Sequence, residues 1–167
     1  MPEAISDSST LINLAVTGHL SLLRDFHEKI IVPPAVWREV VIEGQGKPGA
    51  KEVEAAREAG WLKVVSPGSQ TLVELLKQNL DDGEAETIVL ALERKPDVVL
   101  LDESDARQMA KVYNLPKTGV VGILIRAKLE GKISSLKKEI DRLRDEAGFW
   151  ISEELYNRAL VQAGQLA

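Results

Sequence analysis

Hydrophobic positions along the chain follow two different periods. Short aliphatic runs are each followed by a longer stretch with apolar residues at helical spacing, a pattern typical of βα units around a parallel sheet. The runs predict strands over residues 4–6, 29–32, 61–65 and 97–101, with a fifth over 112–116 if the preceding helix ends early enough. We therefore expect an α/β fold, rich in helix, with one sheet.

The stretches of helical period predict ten helices. They cover residues 9–16, 20–26, 35–42, 50–59, 72–78, 84–94, 104–113, 120–130, 135–146 and 152–163. Gly131 and Gly148 separate the last three helices and act as stop signals. Because no repeat, low-complexity tract or Pro/Ser-rich linker interrupts the pattern, residues 1–167 are expected to form a single domain.

Composition narrows the class of protein. The 167 residues carry 44% hydrophobic and 28% charged side chains and a net charge of −5, as in an ordinary globular protein that is not a polycation. Cysteine is absent, which excludes disulfides, thiolate nucleophiles and Cys-ligated zinc. The first residues lack the features of a signal peptide, and the longest uncharged apolar stretch, 120–125, is far shorter than the roughly 20 residues that span a bilayer. A soluble, cytoplasmic protein without membrane contact is expected.

Acidic residues follow two of the predicted strands. In open parallel sheets the active crevice lies outside the carboxyl ends of the strands. Asp7 comes directly after the first strand, and Asp102 comes directly after the fourth, with Asp105 one helical turn later. Glu39 lies within the helix over 35–42, and Glu84 opens the helix over 84–94. These carboxylates are the candidates for chemistry.

Helix capping is the ordinary explanation for such acids. Aspartate is among the most favoured N-cap residues, and Asp81 with Glu84 has the spacing of a capping box, as does Asp102 with Asp105. Helical geometry places Glu84 about 70° from the centre of the apolar face of its helix. Glu86, by the same geometry, is expected to point to solvent. The single acids therefore leave capping and function both open.

The acids taken together favour a metal site. Several carboxylates in one crevice repel each other and destabilise the fold unless a divalent cation neutralises them. Because neither histidine has a partner at ligand spacing and cysteine is absent, the implied ion is Mg²⁺ or Mn²⁺, which prefers oxygen ligands. Such ions keep waters for phosphate groups and generate a nucleophile for phosphodiester cleavage. The pattern predicts metal-dependent hydrolysis of phosphodiester bonds.

Four motifs, in this order and spacing, resemble those of the PIN domain. They are Ser6-Asp7-Ser8-Ser9, Pro33-Pro34-Ala35-Val36-Trp37-Arg38-Glu39-Val40, Gly83-Glu84-Ala85-Glu86 and Leu100-Leu101-Asp102. The resemblance runs from about residue 5 to residue 160. Segments 118–131 and 149–156 are similar to those of a bacterial and archaeal subgroup close to VapC-type toxins.

The resemblance implies a three-layer α/β/α fold with a short central, mainly parallel sheet. It also implies an endoribonuclease that depends on Mg²⁺ or Mn²⁺ and hydrolyses RNA, as the toxin paired with a small antitoxin protein. By position, the catalytic and metal-binding acids would be Asp7, Glu39, Glu84 and Asp102. Asp105 would be the second choice at the fourth position, and Ser9 would hydrogen-bond within the cluster.

Two departures from the family pattern keep an alternative open. Better-known PIN enzymes usually carry Asp where Glu84 stands, and Thr-x-Asp where this chain has Leu100-Leu101-Asp102. The alternative is a catalytically weak or inactive PIN-fold module that binds RNA or a protein partner. A phosphatase-like enzyme with Asp7 as nucleophile is disfavoured, because Ser9 stands where an Asp-x-Asp motif has its second aspartate.

Other motifs are weaker. Residues 44–49 spell GxGxxG, but no strand precedes them, so a surface loop is expected rather than a dinucleotide site. His19 and His27 lack a partner at metal-ligand spacing, and we expect them on helix surfaces or at caps.

The segment 126–144 carries seven basic residues against three acids, an excess of four. It is either a solvated helix face with internal ion pairs or a track for the phosphates of RNA. The three tryptophans lie among apolar neighbours, so stacking on bases is not predicted. Apolar residues in 11–14 and 22–23 are explained equally well by core burial or by the two-fold interface of a homodimer, the expected assembly.

Overall fold

The computed structural model describes residues 2–165, and its centre is a parallel sheet of five short strands. The strands are β1 Glu3–Ser6, β2 Lys29–Val32, β3 Leu62–Val64, β4 Val98–Leu100 and β5 Lys117–Thr118. They lie in the order β3-β2-β1-β4-β5, and every neighbouring pair is parallel. Four of the predicted strands are confirmed within a residue or two.

The fifth strand was predicted in the wrong place. Residues 112–116 hold the end of a helix and a turn, in which Asn114 adopts a left-handed φ of 55° and Leu115 donates its N–H to the carbonyl of Ala110. The chain must complete this turn before it can extend. The strand therefore begins only at Lys117, after Pro116, whose carbonyl accepts from Val99.

All ten predicted helices are present in the described residues. They are α1 Ser8–Val16, α2 Ser21–Phe26, α3 Pro34–Trp37, α4 Ala50–Glu58, α5 Gln70–Leu76, α6 Asp82–Arg94, α7 Ser104–Val112, α8 Val120–Leu129, α9 Leu136–Ala147 and α10 Glu153–Gln162. One helix differs from expectation, because α3 is followed directly by a π-helical turn over Arg38–Ile42.

Helices cover both faces of the sheet, which gives three layers. Successive strand residues point to opposite faces, so Ala4 and Ile5 of β1 belong to two separate hydrophobic cores. The Ala4 core includes apolar residues of α1, α2 and the C-terminal helices, whereas the Ile5 core includes those of α5, α6 and α7. This is the α/β/α arrangement that the resemblance implied.

The central position of β1 determines where the site lies. β1 pairs with β2 on one side and with β4 on the other, and the N–H of Asp7 continues the ladder to the carbonyl of Leu100 at 3.0 Å. The chain segments that leave β1 and β4 therefore start next to each other. Asp7 and Asp102 begin these two segments.

Some surface assignments change once the packing is known. Leu11, Leu14 and Leu23 are fully buried and Leu22 is 5% exposed, so core burial, not a two-fold interface, explains these leucines. Residues 44–49 form turns before α4, and most of them are exposed. The longest helix, α6, has 13 residues, and no helix within 2–165 is long and apolar enough to cross a bilayer.

Candidate active site

Asp7 is the most deeply buried acid of the site, at 2% exposure. It is the N-cap of α1, and its Oδ1 accepts a hydrogen bond of 2.9 Å from the N–H of Thr10. Its Oδ2 accepts a second hydrogen bond, of 3.1 Å, from the N–H of Asp102. Burial, together with the nearby charge of Asp102, raises the pKa of Asp7 to about 7 despite these hydrogen bonds. The predicted N-cap is confirmed, and the pKa of the capping carboxylate is also strongly raised.

A small acidic pocket opens beside Asp7. Its lining residues are Asp7, Ser8, Ser9, Glu39, Asp81, Glu84 and Glu103. The volume is about 20 Å³, which is enough for one water-sized species. The structure thus brings Asp7, Glu39 and Glu84 together with Ser9, as the sequence suggested, and adds Asp81 and Glu103.

Glu39 reaches the pocket from the π-helical turn Arg38–Ile42. Its Oε2 accepts a hydrogen bond of 2.6 Å from the hydroxyl of Ser8, at the start of α1. A π-turn adds a residue to the helical repeat, and such turns are frequent at functional sites. Here the π-turn contains Glu39 and follows directly after α3. The sequence periodicity of this segment could not show which way Glu39 points.

Glu86 was expected to point to solvent, and this is wrong. Its Oε1 accepts a hydrogen bond of 3.0 Å from the N–H of Ala35, in the first turn of α3. Pro33, at the N-cap of α3, has no side-chain oxygen that could accept a hydrogen bond from the first N–H groups of the helix. The carboxylate of Glu86, from α6, accepts one instead. Glu86 thereby holds the start of α3, the helix that directly precedes the π-helical turn with Glu39.

Glu84 forms the capping box that its spacing predicted. Its N–H donates to Asp81 Oδ1 at 2.8 Å, and its Oε1 accepts from the N–H of Asp81 at 3.0 Å. Burial, with added repulsion from Asp81 and Glu103, raises the pKa of Glu84 above its ordinary value. Glu84 therefore caps its helix and also lines the acidic pocket.

Asp102 faces a neighbouring groove rather than the small pocket. Its Oδ2 accepts from the hydroxyl of Thr10 at 2.8 Å, and its Oδ1 accepts from the N–H of Val120 at 3.0 Å. Asp102 therefore caps α8, and not α7 as its spacing to Asp105 suggested. Burial raises the pKa of Asp102, although the hydrogen bonds and the charge of Arg107 oppose this.

Gly119 makes room for the Asp102 carboxylate. A Cβ added at Gly119 would collide with Asp102 Oδ1 and approach the carbonyl of Leu101 to 3.0 Å. The φ of Gly119 is −128°, a value open to any residue, so the requirement for glycine is steric. Sequence reasoning missed this contact, because it joins two segments that are distant in the chain.

Asp105 lies outside the acidic pocket, whereas Ser9 lines it. Asp105 is exposed on α7 and lines a separate pocket with Asn79 and Met109. Ser9 donates a hydrogen bond of 2.8 Å to Glu103 Oε1. Glu103 was not among the predicted acids, although its place directly after Asp102 at the end of β4 could have indicated it.

A comparison with protein families shows to which family the chain belongs. The profile of a family described as a PIN domain matches residues 3–165. The chain belongs to the PIN domain family. No curated protein matches it. PIN domains are typically nucleases and generally use divalent metals.

The donor atoms of this PIN domain suit a hard divalent cation. Every ligand that the acidic pocket offers is an oxygen, and no lysine or arginine among residues 2–165 forms an ion pair with Asp7. With the side chains as they stand, however, no three histidine or acidic side chains in the described part of the chain are grouped closely enough to hold an ion. Hydrogen bonds with Ser8 and Asp81 hold Glu39 and Glu84 in these positions.

Most of the basic segment 126–144 is neutralised in this PIN domain. Ion pairs engage Arg126 with Glu130, Lys132 with Asp25, Lys137 with Asp141, Arg142 with Glu139 and Glu146, and Arg144 with Glu153. Within the described residues, Lys128 and Lys138 are the two basic side chains of the segment without such a partner. The solvated helix face, one of the two alternatives, accounts for most of these charges.

The histidines lie outside the acidic pocket. Nε2 of His19 is 2.6 Å from Oε2 of Glu139, which ties the α1–α2 connection to α9. His27 is the C-cap of α2 and is 9% exposed, and burial lowers its pKa. The position of His27 agrees with the expected capping role, whereas His19 lies between two helices.

Trp150 is a clear exception to the expectation for the tryptophans. It is 82% exposed, although Phe149 packs against the core and Ile151 is buried. The apolar neighbours of Trp150 turn inward and leave the indole outside. It lines the same groove as Asp102.

Proposed function

We propose that this PIN domain is an endoribonuclease that depends on Mg²⁺ or Mn²⁺ and hydrolyses phosphodiester bonds of RNA. The observation that carries the proposal is the environment of Asp7. A buried carboxylate with a pKa near 7, close to Asp102 and without a cationic partner in the described residues, is costly for the fold. A divalent cation in the adjoining pocket would remove that cost, which is the arrangement expected of a metal-dependent hydrolase.

The side chains have distinct tasks in this proposal. Asp7, Glu39 and Glu84 would hold the ion, and Asp102 would contribute from the neighbouring groove. Once bound, the ion would supply a Lewis acid that activates water and offsets the phosphate charge. The N–H groups of Thr10 and Asp102 fix both oxygens of Asp7 before any ligand arrives.

Two hydroxyl groups support the acids. Ser8 donates to Glu39, and Ser9 donates to Glu103. Both hydroxyls belong to the first turn of α1, which Asp7 caps. One short segment after β1 therefore contributes a carboxylate and orients two others.

The biological setting that we propose is a toxin–antitoxin pair in the cytoplasm. The similarity of segments 118–131 and 149–156 to VapC-type toxins supports it. The partner would be a small antitoxin protein that blocks access to the acidic pocket. A homodimer remains our expectation, but its interface would have to use residues other than the buried leucines of α1 and α2.

Cleavage assays test the enzymatic proposal. Purified protein is incubated with mixed-sequence single-stranded RNA in Mg²⁺ or Mn²⁺, with EDTA as the metal-free control. Asp7→Asn and Glu84→Gln should each lower the cleavage rate by at least about 100-fold, because each removes a charged oxygen ligand. Asp145→Asn, at an exposed acid on α9, is the matched control and should cleave as the wild type does. Full metal-dependent cleavage by Asp7→Asn would refute the proposal.

The fourth acid is identified by a paired comparison. Asp102→Asn and Asp105→Asn are measured in the same assay and at the same metal concentration. Because the backbone N–H of Asp102 donates to the carboxylate of Asp7, whereas Asp105 lines another pocket, we expect the larger loss in Asp102→Asn. The reverse order would assign the position to Asp105.

One observation favours a second function, that of a non-catalytic module which binds RNA or a protein. The absence of a ready group of three ligands within residues 2–165 is what a degenerate PIN domain would show. Calorimetric titration with Mn²⁺ separates the two functions. Saturable binding that is lost in Asp7→Asn supports the enzyme, whereas no binding at millimolar Mn²⁺, together with no cleavage, supports the module.

A further inference from the structure

The groove beside the acidic pocket has the size of a ligand site. Its volume is about 510 Å³, within the range of roughly 300 to 1,000 Å³ typical of small-molecule sites. Ser9 and Glu103 line both the groove and the acidic pocket, and the hydrogen bond between them marks the boundary. The groove therefore adjoins the acidic pocket.

One side of the groove is an unusually exposed aromatic ring. Trp150 is 82% exposed, whereas the residues on either side of it are anchored. Phe149 donates its N–H to the carbonyl of Leu143 at 3.0 Å, and the carbonyl of Ile151 accepts from Arg144. Because the backbone is held on both sides, the indole is presented to solvent by an ordered segment rather than by a loose end.

Gly148 makes this presentation geometrically feasible. It ends α9 with a left-handed φ of 65°, a conformation that glycine adopts at little cost. The residues after this turn place Trp150 in the lining of the groove, together with Asn13 and Asp102.

The negative charge of the groove favours binding of the base of a nucleotide over binding of its phosphate. Asp102 and Glu103 contribute two carboxylates, and among the described lining residues none is lysine or arginine. A phosphate would be repelled there, but an uncharged base would not. A flat aromatic surface of this kind stacks on any base. The Nδ2 of Asn13 donates to Asp102, and its Oδ1 can accept a hydrogen bond from the edge of the base.

We infer that Trp150 is a substrate-positioning residue on which one unpaired base of single-stranded RNA stacks, while the adjoining phosphodiester lies at the acidic pocket. The inference rests on the proposed function for the identity of the substrate. It restricts that substrate to unpaired RNA, since the bases of a duplex are already stacked on their neighbours.

Fluorescence gives a readout that does not depend on cleavage. The chain has three tryptophans, so Trp37→Phe combined with Trp61→Phe leaves Trp150 as the sole reporter. A single-stranded RNA of ten nucleotides, in EDTA and then in Mg²⁺, should quench this emission saturably. A blunt duplex of the same sequence should quench it far less, and equal quenching by both would overturn the inference.

Substitutions of Trp150 test the energetic role of the ring. Trp150→Ala should weaken binding of the decamer, and raise KM in cleavage, by about 10-fold or more, with a smaller effect on kcat. Trp150→Phe keeps an aromatic face and should stay within about threefold of wild type. Tyr113→Ala is the matched control, because this exposed aromatic lies at the opposite end of α7 from the groove and should change neither value.

The outcomes distinguish this inference from the nuclease proposal. Cleavage by the wild type with unchanged KM and unchanged binding in Trp150→Ala would overturn stacking and leave the nuclease intact. No cleavage by the wild type, but at least 10-fold weaker RNA binding in Trp150→Ala, would support stacking and refute the nuclease. Loss of a co-purifying protein in Trp150→Ala, with RNA binding unchanged, would assign the ring to a protein interface and overturn the inference.

Discussion

The backbone N–H of Asp102 donates a hydrogen bond of 3.1 Å to Oδ2 of Asp7. This contact joins the chain ends that leave the two central strands, β1 and β4. It also holds the carboxylates of both residues close enough that the charge of Asp102 contributes to the raised pKa of Asp7. The fold thus maintains electrostatic repulsion at its centre, and that repulsion can be measured.

Asp7→Asn is expected to stabilise the protein at pH 8 in the absence of divalent cations. The rise of the Asp7 pKa from 3.8 to about 7 corresponds to at most about 4 kcal/mol of destabilisation in the ionised state. Asparagine keeps the N-cap but loses the acceptor for the N–H of Asp102, which returns part of that gain. The net increase in unfolding free energy should be about 1 to 2 kcal/mol, measured by urea denaturation in EDTA.

The pH dependence of this difference has a definite sign. Because the folded pKa of Asp7 lies above its unfolded value, the folded state holds the extra proton, and its contribution to stability is lost as the pH rises through about 7. The unfolding free energy of Asp7→Asn relative to that of the wild type should therefore rise by about 2.6 kcal/mol between pH 5 and pH 8. Asp145→Asn should show no such trend, and a constant difference for Asp7→Asn would contradict the burial argument.

Mn²⁺ should stabilise the wild type, and should do so more at pH 8 than at pH 5. At a concentration about 100 times its dissociation constant, a ligand of the folded state adds about 2.7 kcal/mol to the unfolding free energy. At pH 5 a proton occupies Asp7, so the same Mn²⁺ concentration should add less than about 1 kcal/mol. Thermal denaturation with and without Mn²⁺ measures both values, and an equal shift in Asp7→Asn would place the ion elsewhere.

Much of this fold was predictable because its layers follow simple patterns. The ten helices and four strands carry apolar residues at regular spacing, and Asp81 and Glu84 form the capping box that their separation suggested. Asp105 and Asp102 have that spacing as well, yet no such box forms, because Val120 N–H, from a distant segment, takes the Asp102 carboxylate instead. Local spacing can propose a cap, but only tertiary structure decides which donor the carboxylate meets.

Gly119→Ala is expected to destabilise the protein by about 1 to 3 kcal/mol, since the added Cβ collides with the Asp102 carboxylate and neither can move freely. Thr10 and Val120 hold that carboxylate in place. A double-mutant cycle with Asp102→Ala checks the cause. The cost of Gly119→Ala should fall by at least about 1 kcal/mol in that background, and strictly additive effects would exclude the collision.

Glu86→Ala should cost about 1 to 2 kcal/mol of unfolding free energy, because the N–H of Ala35 loses its acceptor at the start of α3. Glu86→Gln keeps a carbonyl oxygen and should cost less than about 0.5 kcal/mol. Chemical denaturation of both variants measures the difference. Equal losses would show that the charge of Glu86, rather than its hydrogen bond, is what α3 requires.

The residues that sequence reasoning misjudged share a physical cause. Glu86 and Trp150 were each judged from their own segment, but a contact with another segment orients Glu86, and the anchoring of its neighbours orients Trp150. Trp150 shows this most clearly, since apolar neighbours suggested burial and instead hold the ring outside. Periodicity reports which face of one element is apolar, and it carries no information about what the next element supplies.

The strand order sets the time at which the site can exist in a growing chain. Ala4 of β1 pairs with Val98 of β4, so the centre of the sheet stays incomplete until β4 has left the ribosome. A nascent chain that ends before β4 contains Asp7 but neither Asp102 nor the N–H that fixes Asp7. Under the proposed function, the newly made chain cannot cut RNA before β4 has left the ribosome and paired with β1.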